Sequence, residues 1–72
     1  MITARFEEYE FYDILTDEEK VRIMCITNLG TWHTEVKMDS GAMMRSARQK
    51  FKEAVMQDMQ YGKPPSEIWL QQ

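Results

Sequence analysis

The chain has one cysteine, one histidine, three glycines and two prolines in 72 residues. A single thiol excludes an internal disulfide framework, and one Cys with one His falls short of the usual ligand set of a metal site. No apolar run approaches the roughly 20 residues that span a bilayer, and the N-terminus lacks the basic and apolar segments of a signal peptide. We therefore expect a cytoplasmic protein with no metal, no cofactor and no membrane contact.

The chain also lacks an excess of positive charge. Its net charge of −3 argues against general nucleic-acid binding through phosphate neutralisation. Residues 1–30 hold three Lys/Arg against seven Asp/Glu, whereas residues 31–72 hold six against five. The acidic end and the weakly basic end either face each other within one molecule or form two separate contact surfaces.

What the chain does contain is typical of a small folded domain. Its residues are 43% hydrophobic and 29% charged, so disorder is not expected. We expect residues 1–72 to form one domain, near the lower size limit for a single core.

The hydrophobic period changes once, at Asp39-Ser40-Gly41. Apolar residues alternate with polar ones before this point and recur every three or four positions after it, as in strands and in a helix respectively. The pattern predicts an α+β fold, a three-stranded antiparallel β-meander followed by one amphipathic helix (β-β-β-α) with a short apolar tail. The predicted strands cover about 2–15, 20–28 and 31–38, the helix about 41–61 and the tail 63–72.

The first predicted strand is irregular. Its apolar residues follow one parity over 2–6 and the opposite parity over 9–11. A β-bulge near Glu7-Glu8 would produce such a slip. The alternative is a shorter first strand that does not include residues 9–15.

Both ends of the predicted helix carry residues that favour a helix boundary. Ser40, or Asp39 beside it, is suited to cap the N-terminus, while Gly62 and the prolines at 64 and 65 end the helix. One arc of the helix is apolar and is predicted to face the sheet. Its members are Met43, Met44, Ala47, Phe51, Ala54, Val55 and Met59.

One helix covers only one face of such a sheet. The other face must be polar, or be covered by the tail or by another chain. Ile68, Trp69 and Leu70 make the tail too apolar to be merely solvated. We expect it either to fold over an open edge of the core or to dock onto a partner.

The only thiol and imidazole do not suggest catalysis. Strand parity puts Cys25 among core positions and His33 on the opposite parity from Trp32 and Val36. A buried apolar cysteine and an exposed strand histidine explain this pattern better than a nucleophile–base pair does. We predict that the protein is not an enzyme.

Two charged clusters and several apolar residues are candidates for contacts. The acidic residues of the first strand, Glu7, Glu8, Glu10 and Asp13, are expected to form a solvated edge or an electrostatic contact surface. Met56 is not explained by the core arc. The candidates for a protein interface are Glu7, Glu8, Tyr9, Glu10, Met56, Ile68 and Trp69. The basic patch consists of Arg45, Arg48, Lys50 and Lys52, which either pair internally, meet an acidic partner or contact phosphates.

These features favour a small non-enzymatic protein-binding module, acting as an adaptor or an inhibitor of a larger protein or complex. Small phage-encoded proteins that block a host enzyme or a defence complex are one such group. The first alternative is a nucleic-acid-binding module that uses the basic half of the helix. The second is a structural homo-oligomer formed through the half-covered sheet and the tail.

Overall fold

The computed structural model describes the backbone of residues 2–6, 10–37 and 40–70, and the side chains of residues 11–37 and 40–70. In these residues the chain forms four strands and one helix, namely β1 (Ile2–Phe6), β2 (Glu10–Leu15), β3 (Lys20–Thr27), β4 (Gly30–Lys37) and α1 (Gly41–Gln60). The strands form one antiparallel sheet in the order β1-β2-β3-β4. The predicted α+β class, an antiparallel meander followed by one helix, is confirmed.

The first predicted strand needs a correction. Residues 2–15 do not form one bulged strand, because β1 and β2 pair with each other in antiparallel fashion and Phe6 lies opposite Phe11. The alternative of a shorter first strand is therefore the one that the structure supports. Both a chain reversal and a β-bulge change which positions of the sequence are apolar, so the apolar pattern alone does not distinguish two short strands from one bulged strand. The register irregularity lies within β1, between Ile2 and Ala4.

The two described turns are closed by local hydrogen bonds. Thr16 N–H donates to Lys20 O at 2.8 Å, and Glu19 in this turn has a φ of +59°. In the next turn, Thr27 Oγ1–H donates to Gly30 O at 2.8 Å. Gly30 has a φ of +133°, which a residue with a Cβ adopts only at a cost. Each turn therefore places one residue in a conformation that favours glycine.

The ends of α1 follow the predicted signals. Ser40 Oγ accepts a hydrogen bond from Met43 N–H at 3.3 Å. At the C-terminus, Lys63 N–H donates to Asp58 O at 2.8 Å and Gly62 N–H donates to Met59 O at 3.2 Å. Together with the φ of +68° at Gly62, these bonds form a Schellman motif that satisfies the last carbonyl groups of the helix.

The core lies between α1 and one face of the sheet. The rings of Phe11 and Phe51 meet edge to face, with centroids 6.0 Å apart. Trp32 Nε1–H donates to the Asp58 carboxylate at 3.1 Å, so the core indole keeps a polar partner on the helix. The buried hydrophobic residues are Phe11, Val21, Ile23, Cys25, Trp32, Val36, Met44, Ala47, Phe51 and Val55.

The predicted burial of the apolar helix arc is confirmed for its central residues and is wrong for residues at its edge. Met44, Ala47, Phe51 and Val55 are buried as predicted, whereas Met43 is 45% exposed. Met56, which the arc left outside, is partly buried against the core. A helical wheel ranks positions by angle alone, while burial depends on whether another element lies beneath that turn.

Candidate interaction surface

The tail lies along the outer edge of β4. His33 N–H donates to Ser66 O at 3.3 Å, and Ile68 N–H donates to His33 O at 2.7 Å, which gives a short parallel bridge. Ile68 and Leu70 are partly buried and pack against the core. Of the two expected placements, the structure shows the tail on the edge of its own sheet.

Trp69 is presented outward by this arrangement. Side chains alternate along an extended segment, so the inward positions of Ile68 and Leu70 leave Trp69 on the outside, with 88% of its surface exposed. Its backbone lies between two anchored residues, so the point from which the indole projects is held beside the sheet. Parity places it on the same side of the tail as Glu67, beside the sheet face that α1 leaves open.

That open face has an apolar centre. Tyr12 and Met24 face each other across β2 and β3, and both are half-buried. Ile14 is half-buried beside them, and Ile26 is 38% exposed. Two of the expected states of this face are therefore not found among its described side chains. The face is not wholly polar, and the tail does not cover it but lies on the β4 edge.

Two pairs of charged groups border this apolar centre on its β4 side. Arg22 donates to Glu35 Oε1 from Nη2 at 2.7 Å and from Nε at 3.3 Å. The hydrogen bond from Arg22 is the main cause that lowers the pKa of the exposed Glu35 carboxyl below its usual value of 4.5. His33 Nδ1 lies 3.9 Å from the Glu67 carboxylate.

The structure also separates the two groups considered for catalysis. Cys25 is fully buried on the α1 side of the sheet, while His33 lies on the open face with 39% of its side chain exposed. Strand parity predicts this separation. In the described part of the chain, no three His, Cys, Asp or Glu side chains come together to hold a metal ion.

The structure places the four residues of the basic patch in different environments. Arg48 donates from Nε to Asp13 Oδ2 at 2.7 Å and makes a second contact from Nη2. Asp13 is 1% exposed, so its expected place in a solvated acidic edge is wrong. The reason is parity, because Asp13 shares the core side of β2 with Phe11. Of the other three basic residues, Arg45 and Lys50 are exposed and Lys52 is half-buried.

The predicted interface residues fall into three groups. Glu7, Glu8 and Tyr9 lie outside the described residues. The backbone of Glu10 belongs to β2, opposite Ile26, and its side chain is outside the description. Met56 and Ile68 pack partly against their own core, whereas Trp69 is exposed. These described positions make Trp69 the main interface candidate.

A groove of about 440 Å³ separates the end of β4 from the tail. Thr34 and Val36 are buried beneath it, and Trp69 forms part of the opposite wall. Two lysines and two glutamates also line the groove, namely Lys20, Lys37, Glu35 and Glu67. Sequence reasoning missed this groove because it depends on where the tail docks.

Comparisons with protein-family models, with curated proteins and with solved structures found no match to this chain. Within the residues that the structure describes, no helix has the length and apolar character needed to cross a membrane. A function for this chain therefore has to be inferred from its surface, since fold class does not define a function.

Proposed function

We propose that this protein is a small protein-binding module, an adaptor or an inhibitor of a larger partner, whose contact surface combines Trp69 with the open face of the sheet. The observation that supports this most directly is the 88% exposure of Trp69 between two residues that are anchored on the core. Tryptophan is among the residues that most often dominate the energy of protein interfaces.

The indole of Trp69 offers a large apolar surface to a partner. A tryptophan that becomes fully buried removes about 150–250 Å² from water, which corresponds to roughly 4–6 kcal/mol at about 25 cal/mol per Å² before the costs of association. Because the tail backbone is already held at His33 and Ile68, little additional ordering is needed when the indole binds. A partner therefore gains more from this tryptophan than from one on a free tail.

The adjacent sheet face supplies the rest of the surface. Tyr12, Ile14, Met24 and Ile26 give it an apolar centre, and the Arg22–Glu35 pair lies at its rim. An apolar centre with polar groups around it is the usual arrangement of a protein interface. Patches of this kind on a small domain mark contact sites more often than scattered apolar residues do.

The test is an affinity capture from native lysate, with and without nuclease treatment, using wild-type protein and two variants. Trp69→Ala removes the indole, and Leu29→Ala is the matched control because Leu29 is also apolar and 76% exposed, in the β3–β4 turn. We expect a stoichiometric protein that wild type and Leu29→Ala capture and that Trp69→Ala loses. Equal capture by all three proteins would refute the proposal, as would capture that nuclease abolishes.

Light scattering on the purified chain separates this function from a structural homo-oligomer. We expect a monomer, for which the contact surface remains available to another protein. A stable oligomer that Trp69→Ala dissociates would show that the surface serves self-association instead.

The basic half of α1 gives less support to nucleic-acid binding. The Arg48 guanidinium is bound to a buried carboxylate, so it is not available to contact phosphates without breaking that pair. Phosphate contacts add to affinity one by one and make it strongly dependent on salt. A patch that uses one of its four cations internally offers correspondingly fewer contacts.

A further inference from the structure

The end of β4 offers main-chain groups toward the groove. His33 uses both its N–H and its C=O to bind the tail, so these groups point away from β3. Main-chain groups alternate in direction along a strand, so those of Glu35 and Lys37 point outward as well. The described main-chain hydrogen bonds between the tail and β4 are those of His33 alone, which leaves the groove beside the last residues of β4.

The groove is lined by two lysines and two glutamates, and both glutamates have a partner nearby. Glu35 is held by Arg22, and Glu67 lies near the His33 imidazole. Lys20 and Lys37 are directly opposite each other in the register of β3 and β4, an arrangement that is unfavourable for like charges. Lys20 has an exposed contact of 3.6 Å with Glu18, and Lys37 makes no ion pair within the described side chains.

We propose that this groove binds an extended acidic segment of the protein partner, by strand addition to the end of β4. The segment pairs with the backbone at Glu35 and Lys37, directs a carboxylate toward Lys20 and Lys37, and packs an apolar side chain on Trp69. This inference rests on the proposed function, and it adds the chemistry of the partner. Strand addition is a common way for a sheet edge to bind a peptide.

The same lining favours a peptide over a nucleic acid. A phosphate backbone carries a negative charge at every nucleotide and would meet the carboxylates of Glu35 and Glu67 along with the lysines. A peptide is charged only where a side chain supplies a charge, so one carboxylate can be directed to the lysines while an uncharged part of the segment passes Glu35 and Glu67. A volume of about 440 Å³ falls within the range of about 300–1,000 Å³ that is usual for ligand sites.

The test is selection of a random heptapeptide display library on the full-length chain, followed by affinity measurements with the enriched synthetic peptides. Binding is compared among wild type, Lys37→Glu, Trp69→Ala and Arg45→Glu. Arg45→Glu is the matched control, because it reverses an exposed charge on α1 that does not line the groove. Amide exchange measured by NMR on the same peptide complexes reports whether Glu35 and Lys37 N–H become protected.

We expect enriched peptides with a net negative charge and at least one large apolar residue. Lys37→Glu and Trp69→Ala should each weaken their binding at least tenfold, and Arg45→Glu should change it less than twofold. Protection of the Glu35 and Lys37 amides should accompany binding.

Three results of the peptide experiment would overturn the inference. The first is that no peptide is enriched. The second is enrichment of neutral or basic peptides whose binding Lys37→Glu does not weaken. The third is displacement of the peptides by a single-stranded oligonucleotide whose own binding depends on Lys37. The lysate capture is a separate readout, so the proposed function stands or fails on Trp69→Ala there. Loss of a captured protein in Trp69→Ala with unchanged capture in Lys37→Glu would refute only the acidic segment.

Discussion

The ion pair between Asp13 and Arg48 allows a sharp prediction about stability. Asp13 is 1% exposed, whereas the Arg48 side chain is 34% exposed. The two partners are therefore not equivalent. If Asp13 is replaced, the Arg48 guanidinium can still be hydrated, whereas if Arg48 is replaced, the Asp13 carboxylate stays buried away from water. Arg48→Met keeps most of the apolar stem and removes the charge.

The magnitude follows from this asymmetry. Removing one partner of a buried ion pair costs about 3–5 kcal/mol. We expect about 2–4 kcal/mol for Arg48→Met, because water can enter where the partly exposed guanidinium was. Asp13→Asn keeps the side-chain shape and should cost only about 1–2 kcal/mol. A domain of 72 residues has a total stability of about 4–11 kcal/mol, so Arg48→Met should move the unfolding midpoint markedly.

The assay is urea unfolding followed by circular dichroism and by the fluorescence of the buried Trp32. The double variant Asp13→Asn/Arg48→Met removes both charges, so it should be more stable than Arg48→Met alone. A loss below about 1 kcal/mol in Arg48→Met would refute the reasoning. So would a double variant that is no more stable than Arg48→Met, because we attribute the cost to a buried Asp13 charge that has lost the Arg48 charge beside it.

The remaining predictions concern turns and core, and urea unfolding checks each of them. Glu19→Gly should raise stability by about 0–1 kcal/mol, because it relieves a positive φ at the cost of a more flexible unfolded chain. Its control, Glu18→Gly in the same turn, should lower stability by about 0.5–1 kcal/mol, and equal effects would contradict the explanation. Gly30→Ala should cost about 1–3 kcal/mol and speed exchange of the tail amides, because its φ is +133° and a Cβ there would lie 3.2 Å from Pro65 Cγ. Phe51→Ala should cost about 3–5 kcal/mol, and a well-folded variant with native stability would mean that Phe51 is not central to the core.

Local patterns in the sequence predicted most of the elements. Alternation placed Cys25 in the core and His33 on the other face, and spacings of three and four placed Phe51 and Val55 against the sheet. These predictions succeed because side-chain direction along a strand or helix depends on backbone geometry, which repeats with a fixed period.

The candidate site was predicted only in part. The tail was recognised as too apolar for a solvated end, and Trp69 was chosen as an interface residue together with Ile68. The structure puts Ile68 against the core and Trp69 outside it. Composition marks both residues as apolar, and only the bridge at His33 decides which of them faces inward.

The sequence by itself determined the α+β class, the extent of the helix, its caps and the central core residues, because those depend on neighbours a few positions away. The tertiary structure decided what depends on distant partners. It paired β1 with β2, joined Asp13 to Arg48 across 35 positions of sequence and laid the tail along β4. A pattern of period two or 3.6 carries no information about which elements meet, so the groove and the presentation of Trp69 appear only when the chain is folded.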